Sequence, residues 1–167
     1  MFLRIWRFAT LMPTALSAGV ALCHLMEMPA RRNCAPALWS RVTNIEGTYR
    51  LFGPPVGASI EGGALSTAVV LSILVRKRRP AFALTQVGVA CMAAAQVAWW
   101  LFVFPVNSRM VNWTPESLPA NFEELRDQWE YTHAARAILQ IFGLGALVLS
   151  VLAETPTEPA SNHVERT

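Results

Sequence analysis

Two histidines and three carboxylates lie near the ends of apolar segments in this sequence. His24 and Glu27 are three residues apart in CHLMEMPARR, where a first apolar stretch ends. Glu130 and His133 have the same spacing at the start of the last apolar stretch, and Glu61 lies in another. Residues three or four apart share one face of a helix. These side-chain types can transfer protons, bind a metal or ligate a haem.

The first of these chemistries is acid–base catalysis on an apolar substrate. A histidine can act as a general base near neutral pH, and a cation or amide donor can stabilise the anion that forms. His133 or His24 would be the base. Arg136 and Asn107 would be the donors to the anion.

The other two chemistries need a cofactor. His24, Glu27, Glu61, Glu130 and His133 could bind one or two transition metals in the core of a helical bundle, although this chain is one glutamate short of a di-iron bundle and has one of the two Glu-x-x-His motifs reversed. Alternatively, His24 and His133 could be the two axial ligands of a haem. The sequence leaves both alternatives open.

The elements that position these residues are apolar helices. Of the 167 residues, 53% are hydrophobic and 15% are charged, with a mean hydropathy of +0.34. A helix needs about 20 mainly apolar residues to cross a bilayer. Residues 8–26, 56–75, 81–104 and 131–152 qualify, so the composition predicts an all-α, four-helix transmembrane protein. Retention of the first helix, rather than its removal as a signal peptide, is expected.

The helices are predicted to form an antiparallel bundle. The second and third are joined only by RKRRP, which indicates a tight hairpin. The positive-inside rule places Arg4, Arg7 and the basic cluster at 76–79 together. Both termini are therefore predicted to be cytoplasmic, with the plasma (inner) membrane as the default location.

In such a bundle the unusual residues meet at the opposite, non-cytoplasmic end. Helical spacing predicts one polar stripe on each of three helices, facing inward because polar groups are costly in lipid. The predicted stripes are Ser17, Val20, His24 and Glu27; Gln96, Trp100, Val103 and Asn107; and Trp129, His133, Arg136 and Gln140. Arg136 or a histidine is the expected partner of Glu61. Glu27 is expected to pair with Arg31, and Glu130 with Arg126.

Two loops are predicted to form a lid over this end. Residues 29–55 carry Trp39, Tyr49 and Phe52, while residues 105–121 carry Trp113 and three prolines. The fourth helix is expected to start near Phe122. Residues 1–153 form the predicted transmembrane domain, and 154–167 a polar, disordered tail.

Composition also limits the partners. Three cysteines without a CxxC pair indicate neither a disulfide framework nor a zinc site. The net charge of +3 comes from basic residues scattered through the loops, which does not predict nucleic-acid binding. The expected partners are the lipid bilayer and an apolar small molecule, and a homo-oligomer is left open.

The runs FPVNSRM and LRDQWEYTHAARAILQIFGLGALVL, after a first helix ending in CHLMEMPARR, resemble the anthrone oxygenase-like family. Its members are small four-helix integral membrane proteins, many of them known only as a domain of unknown function. The resemblance covers about residues 8–152. Its most specific part combines the Asn107 segment with Trp129, His133 and Arg136, and ALCHLMEMPAR and YRLFGPPVGASIE match a bacterial-looking branch.

The resemblance implies oxidation of an anthrone to an anthraquinone with molecular oxygen and no other cofactor. Carried over to this chain, Trp129 and His133 would be catalytic, and the spacing of the polar residues adds His24, Asn107 and Arg136 as assisting residues. The leading hypothesis is thus a membrane oxidoreductase, a monooxygenase of aromatic or polyketide-like substrates. The alternatives are a metal or haem protein that uses His24 and His133, and a non-enzymatic membrane protein for binding or assembly.

Overall fold

The computed structural model describes residues 1–45 and 56–155, and within these ranges it contains helices and no strand. The helices are α1 (Phe2–Arg32), α2 (Pro36–Thr43), α3 (Gly57–Val75), α4 (Arg79–Ala98), α5 (Phe104–Met110) and α6 (Phe122–Leu152). A π-helical turn, Trp99–Val103, joins α4 to α5 without a break. The all-α prediction is confirmed.

Four helical segments are long and apolar enough to cross a bilayer: Phe2–Arg32, Gly57–Val75, Arg79–Met110 and Phe122–Leu152. Each contains one predicted span, and three are extended to 31 or 32 residues. About 20 residues suffice to span the hydrocarbon, so α1 and α6, with 31 residues each, are longer than a span requires. The length and apolar composition of these helices support the prediction of an integral membrane protein. Helix α6 begins at Phe122, as expected.

The four long helices form an antiparallel ring in which α1 packs on α3 and α6, and α4 packs on the same two helices. Hydrogen bonds between side chains set the register. Ser17 on α1 donates to Gln140 on α6 at 2.7 Å, and Gln96 on α4 donates to Glu61 on α3 at 2.6 Å. The predicted hairpin between the second and third spans is confirmed, because α3 and α4 pack together after a short basic turn.

At one end of the bundle, Glu154 joins the three segments predicted to lie together. Its carboxylate pairs with Arg7 near the start of α1 and, at 3.0 Å, with Arg78 in the basic turn. Glu154 thereby belongs to the packed end of α6, although the predicted tail began at this residue. Which side of the membrane this end of the bundle faces stays a prediction.

The π-helical turn changes the face that the end of the third span presents to the bundle. A π-turn holds more residues than an α-turn, so a 3.6-residue period does not continue through it. Trp100, predicted to face inward, is 59% exposed, while Trp99 is half-buried and Val103 is buried. The predicted stripe on this helix is therefore wrong at Trp100.

The inward face of α1 also differs from the predicted stripe. Val20 and Glu27 are exposed, whereas Ser17 is buried as predicted. The buried face is formed by Thr10, Thr14, Ser17, Ala18, Ala21 and Arg31. Small residues and threonines let α3 and α6 approach α1 closely, and Thr10 and Thr14 satisfy their hydroxyls on the carbonyls four residues earlier.

Close packing of α4 on α6 depends on two glycines. A Cβ at Gly88 would lie 2.8 Å from Leu147 Cγ and 3.2 Å from the carbonyl oxygen of Gly143, and a Cβ at Gly143 would lie 3.2 Å from Cys91 Cβ. Both glycines lie in the contact between α4 and α6. Gly62, Gly63 and Gly145 have nothing within 4 Å of such a Cβ.

We predict that Gly88→Ala destabilises the bundle by about 1–3 kcal/mol, because the new methyl group overlaps the fully buried Leu147 and a backbone carbonyl. Thermal unfolding in mild detergent measures the effect. Gly62→Ala is the matched control, since a methyl group there meets only open space and alanine favours the helix. Equal unfolding temperatures for the two variants would contradict the close approach of α4 and α6.

Candidate functional site

A buried ion pair closes the end of the bundle opposite Glu154. Arg31, at the end of α1, donates to both carboxylate oxygens of Glu130 on α6, at 3.0 and 2.7 Å. Glu130 has no solvent exposure. The predicted pairing of Glu130 with Arg126 is wrong, since Arg126 pairs with Glu123 and Asp127 instead.

Arg31 is the centre of this contact set. It also donates to Glu27 at 2.7 Å and to the backbone carbonyl of His24 at 2.8 Å. The expected pairing of Glu27 with Arg31 is thus confirmed, but the Glu27 side chain is 66% exposed. Glu27 therefore borders the site from outside and does not point into it.

Trp39 connects α2 to the same carboxylate. Its indole N–H donates to Glu130 Oε1 at 2.8 Å, and the side chain is fully buried. It packs edge-on against Trp129 and Phe122, with ring centroids 5.6 and 5.5 Å away, and lies 6.5 Å from Trp113. Trp39 and Trp113 come from the two predicted lid loops. Tyr49 and Phe52 lie outside the described residues, so the lid as a whole stays a prediction.

Beneath Trp129 lie the two histidines. The ring centroids of His24 and His133 are 4.6 Å apart and their planes differ by 30°. Trp129 is 4.2 Å from His133 and 5.6 Å from His24. Its indole N–H donates to Asn107 Oδ1 at 2.8 Å, which fixes the orientation of the ring. The structure thus brings together histidines that are 109 positions apart (133 − 24) in the sequence.

One ring nitrogen of each histidine has no hydrogen-bond partner within the described parts of the chain. These are His24 Nδ1 and His133 Nε2, and both atoms are buried. Buried polar atoms are nearly always hydrogen-bonded, so two such atoms on adjacent rings are a signal of ligand binding. His133 is buried and His24 is partly exposed, so the exposed edge of the pair belongs to His24.

Arg136 assigns different roles to the two nitrogens of His133. An Arg136 N–H faces His133 Nδ1 at 3.4 Å. Because a guanidinium can only donate, Nδ1 is the acceptor and the proton of neutral His133 belongs on Nε2. The unpartnered Nε2–H of His133 is then a donor, whereas Nδ1 of His24 can be an acceptor.

A second ion pair fixes Arg136. Its guanidinium donates to both oxygens of Glu61 at 2.8 Å and, through Nε, to the Ala95 carbonyl at 3.0 Å. Gln96 donates to Glu61 at 2.6 Å and Gln140 at 3.4 Å. The expected partnership of Glu61 with Arg136 is confirmed. Arg136 therefore lies between Glu61 and His133, where it can orient the imidazole ring.

Next to this network lies a cavity of about 10 Å³, lined by Glu61, Gln96, Gln140, Ser17, Thr14 and Met92. That volume corresponds to roughly one water molecule. The cavity does not include either histidine. It lies in the polar core between α1, α3, α4 and α6 and is too small for an organic substrate.

The structure therefore separates the predicted site residues into two groups. His24, His133, Trp129, Asn107 and Arg136 form one contiguous cluster, with Glu61 behind Arg136. Glu27 and Glu130 do not face the histidine pair. Sequence reasoning missed Trp39 as a direct partner of the site. It named Arg31 only as the partner of Glu27, although Arg31 lies four residues after Glu27 and seven after His24 on the same helical face.

The geometry does not favour the cofactor alternatives. Glu61 and Glu130, which a carboxylate-bridged metal site would need, are each held by an arginine. Within residues 1–45 and 56–155, no three His, Cys, Asp or Glu side chains are grouped so as to hold a metal ion. Two axial haem ligands lie on opposite sides of the porphyrin plane. The ring centroids of His24 and His133 are only 4.6 Å apart, which leaves no room for a porphyrin between the two rings.

We predict that Arg31→Met destabilises the protein by about 3–5 kcal/mol, because Glu130 would keep a buried charge without its counter-ion. Arg32→Gln is the matched control. Arg32 pairs with the partly exposed Asp127 at 3.0 Å, and its loss should cost no more than about 1 kcal/mol. The measurement is unfolding in detergent. The double variant R31M/E130Q should recover part of the loss, and a double variant less stable than R31M would contradict the orphaned charge as the cause.

Comparisons with known proteins leave the site to be interpreted from its own geometry. No family model, no curated protein and no solved structure matches the chain.

Proposed function

We propose that this protein is a membrane oxidoreductase that oxidises an apolar aromatic substrate with molecular oxygen at the His24–His133 pair. The observation that carries the proposal is the pair of stacked imidazoles with one acceptor and one donor nitrogen, both buried and both without a partner among the described residues. An enzyme that removes a proton and holds the resulting oxyanion needs such a base and such a donor.

The geometry supports different roles for the two histidines. His24 Nδ1 is the general base that removes a proton from a methylene group flanked by aromatic rings and conjugated with a carbonyl, as in an anthrone. His133 Nε2–H donates to the oxygen on which the negative charge develops. Trp129 packs against both histidine rings and forms one wall of the site.

Electrons then pass from the substrate carbanion to oxygen. The methylene carbon loses two hydrogens and gains one oxygen atom, and the second oxygen atom leaves as water with those two hydrogens. The residues of this chain bind the substrate, move the first proton and stabilise the anion. In this assignment Arg136 and Asn107 are positioning residues, since Arg136 orients His133 and Asn107 orients Trp129.

The same two nitrogens support one other candidate, a transition metal bound by His24 and His133. That candidate requires a lone pair on His133 Nε2 and hence a proton on Nδ1, where the Arg136 guanidinium would oppose it. The acid–base role is compatible with the arginine and is the one we favour.

We place the protein in the plasma membrane with both termini in the cytoplasm. The end that carries Arg4, Lys77 and the other basic residues of the turn is the denser in positive charge, and positive residues are retained on the cytoplasmic side. The histidine pair then lies near the opposite surface, and an apolar substrate reaches it from the bilayer.

We predict that detergent-purified protein consumes oxygen with anthrone-like phenols, and that His24→Gln lowers kcat about 100-fold or more because the general base is lost. His133→Gln should also lower kcat, since an amide N–H replaces the imidazole donor imperfectly. Cys23→Ala is the matched control. Cys23 is next to His24 in the sequence, but its own side chain is exposed, so the substitution should leave the rate unchanged.

Two results would contradict this function. A Soret band or a stoichiometric transition metal that disappears in both His24→Ala and His133→Ala would replace the acid–base site with a cofactor site. Equal rates of oxygen consumption in the wild type and in His24→Gln would show that His24 is not the base. Folding of each variant is checked by circular dichroism, so that lost activity is not confused with lost structure.

A further inference from the structure

The two buried tryptophans of the site donate to chemically different acceptors. Trp39 donates to the carboxylate of Glu130 at 2.8 Å, whereas Trp129 donates to the amide oxygen of Asn107 at 2.8 Å. Trp39 and Glu130 both have zero exposure. A fully buried indole hydrogen-bonded to a fully buried carboxylate is not needed for the acid–base chemistry of the histidines.

The acceptor decides what happens when an indole is oxidised. Loss of one electron makes the indole N–H strongly acidic, and the radical becomes neutral only if that proton has a base to go to. A carboxylate at hydrogen-bond distance is such a base, while an amide oxygen is an acceptor of hydrogen bonds and a very weak base. Trp39 has the required partner and Trp129 does not.

We propose that Trp39 is a redox-active residue that gives up one electron while its Nε1 proton passes to Glu130 Oε1. The products are a neutral tryptophanyl radical at Trp39 and an uncharged carboxylic acid at Glu130. The electron reduces an organic peroxyl radical, formed when a substrate radical captures oxygen at the histidine pair, to the hydroperoxide anion. Trp39 would thereby quench radicals that escape productive oxidation.

The electron has a short route to the histidines. Trp129 contacts Trp39 with ring centroids 5.6 Å apart and lies 4.2 Å from His133. The guanidinium of Arg31 lies 5.4 Å from the centroid of the Trp129 ring. A cation over that face opposes positive charge on Trp129, so Trp129 relays the electron and the radical resides on Trp39.

Arg31 also makes the proton transfer tolerable in a buried place. When Glu130 becomes neutral, Arg31 keeps its contacts with Glu27 at 2.7 Å and with the His24 carbonyl at 2.8 Å. Its positive charge is therefore not left unpaired, which would otherwise cost several kcal/mol. Arg31 thus keeps another acidic partner, Glu27, when Glu130 is protonated.

The inference that a peroxyl radical oxidises Trp39 rests on the proposed function, whereas the ability of Trp39 to form a neutral radical does not. The test supplies its own oxidant, a photo-generated ruthenium(III) polypyridyl complex, to the detergent-purified protein. It uses a W100F background, because Trp100 is the one exposed residue among the six tryptophans, all of which are described. Transient absorption and EPR identify the radical, and a pH-indicator dye follows protons released to the buffer.

We expect a neutral tryptophanyl radical without matching proton release, because the proton stays on Glu130. Adding Trp39→Phe should lower the radical yield severalfold, whereas adding Trp6→Phe, at the opposite end of the bundle, should not. An unchanged yield after Trp39→Phe, or one proton in the buffer for each radical, would overturn the inference. The dye measurement needs no Trp39 variant and stands even where that variant fails to fold. A radical at Trp39 without anthrone-dependent oxygen consumption would refute the proposed function alone.

Discussion

The ion pair between Arg31 and Glu130 is the interaction on which the rest of this end of the bundle depends. A buried carboxylate with no exposure is tolerated only when a counter-ion and further donors surround it. Glu130 receives two hydrogen bonds from Arg31 and one from Trp39, which ties the end of α1 and Trp39 of α2 to α6. Trp39 packs edge-on against Trp129, and Trp129 covers the histidines.

A second arginine–glutamate ion pair joins Arg136 of α6 to Glu61 of α3. Glu130, His133 and Arg136 follow one another at intervals of three residues, so each lies next to the following one on the helix surface. The carboxylate at one end of this row binds Arg31 from α1, and the guanidinium at the other end binds Glu61 from α3. The charges cancel within each pair, so the histidine between them lies in a neutral, water-poor environment fixed from three helices.

Local periodicity was sufficient to predict much of this arrangement. Four apolar segments, the basic hairpin and the row of Trp129, His133, Arg136 and Gln140 all follow from the 3.6-residue period and the cost of polar groups in lipid. What could not be predicted depends on partners distant in the sequence. Glu130 has an arginine four residues before it, yet it pairs with Arg31 from another helix. The π-turn that carries Trp100 outward has no comparable sequence signature.

The orientation of the two ion pairs decides which ligand the histidines favour. Arg136 contacts His133 Nδ1, and Arg31 contacts the backbone carbonyl of His24. A positively charged group thus lies close to each histidine residue, and nearby positive charge stabilises an anion and opposes a cation. A developing oxyanion fits this field better than a metal ion does. The same field raises the cost of a positive charge on Trp129 and favours the neutral radical at Trp39, where the proton leaves together with the electron.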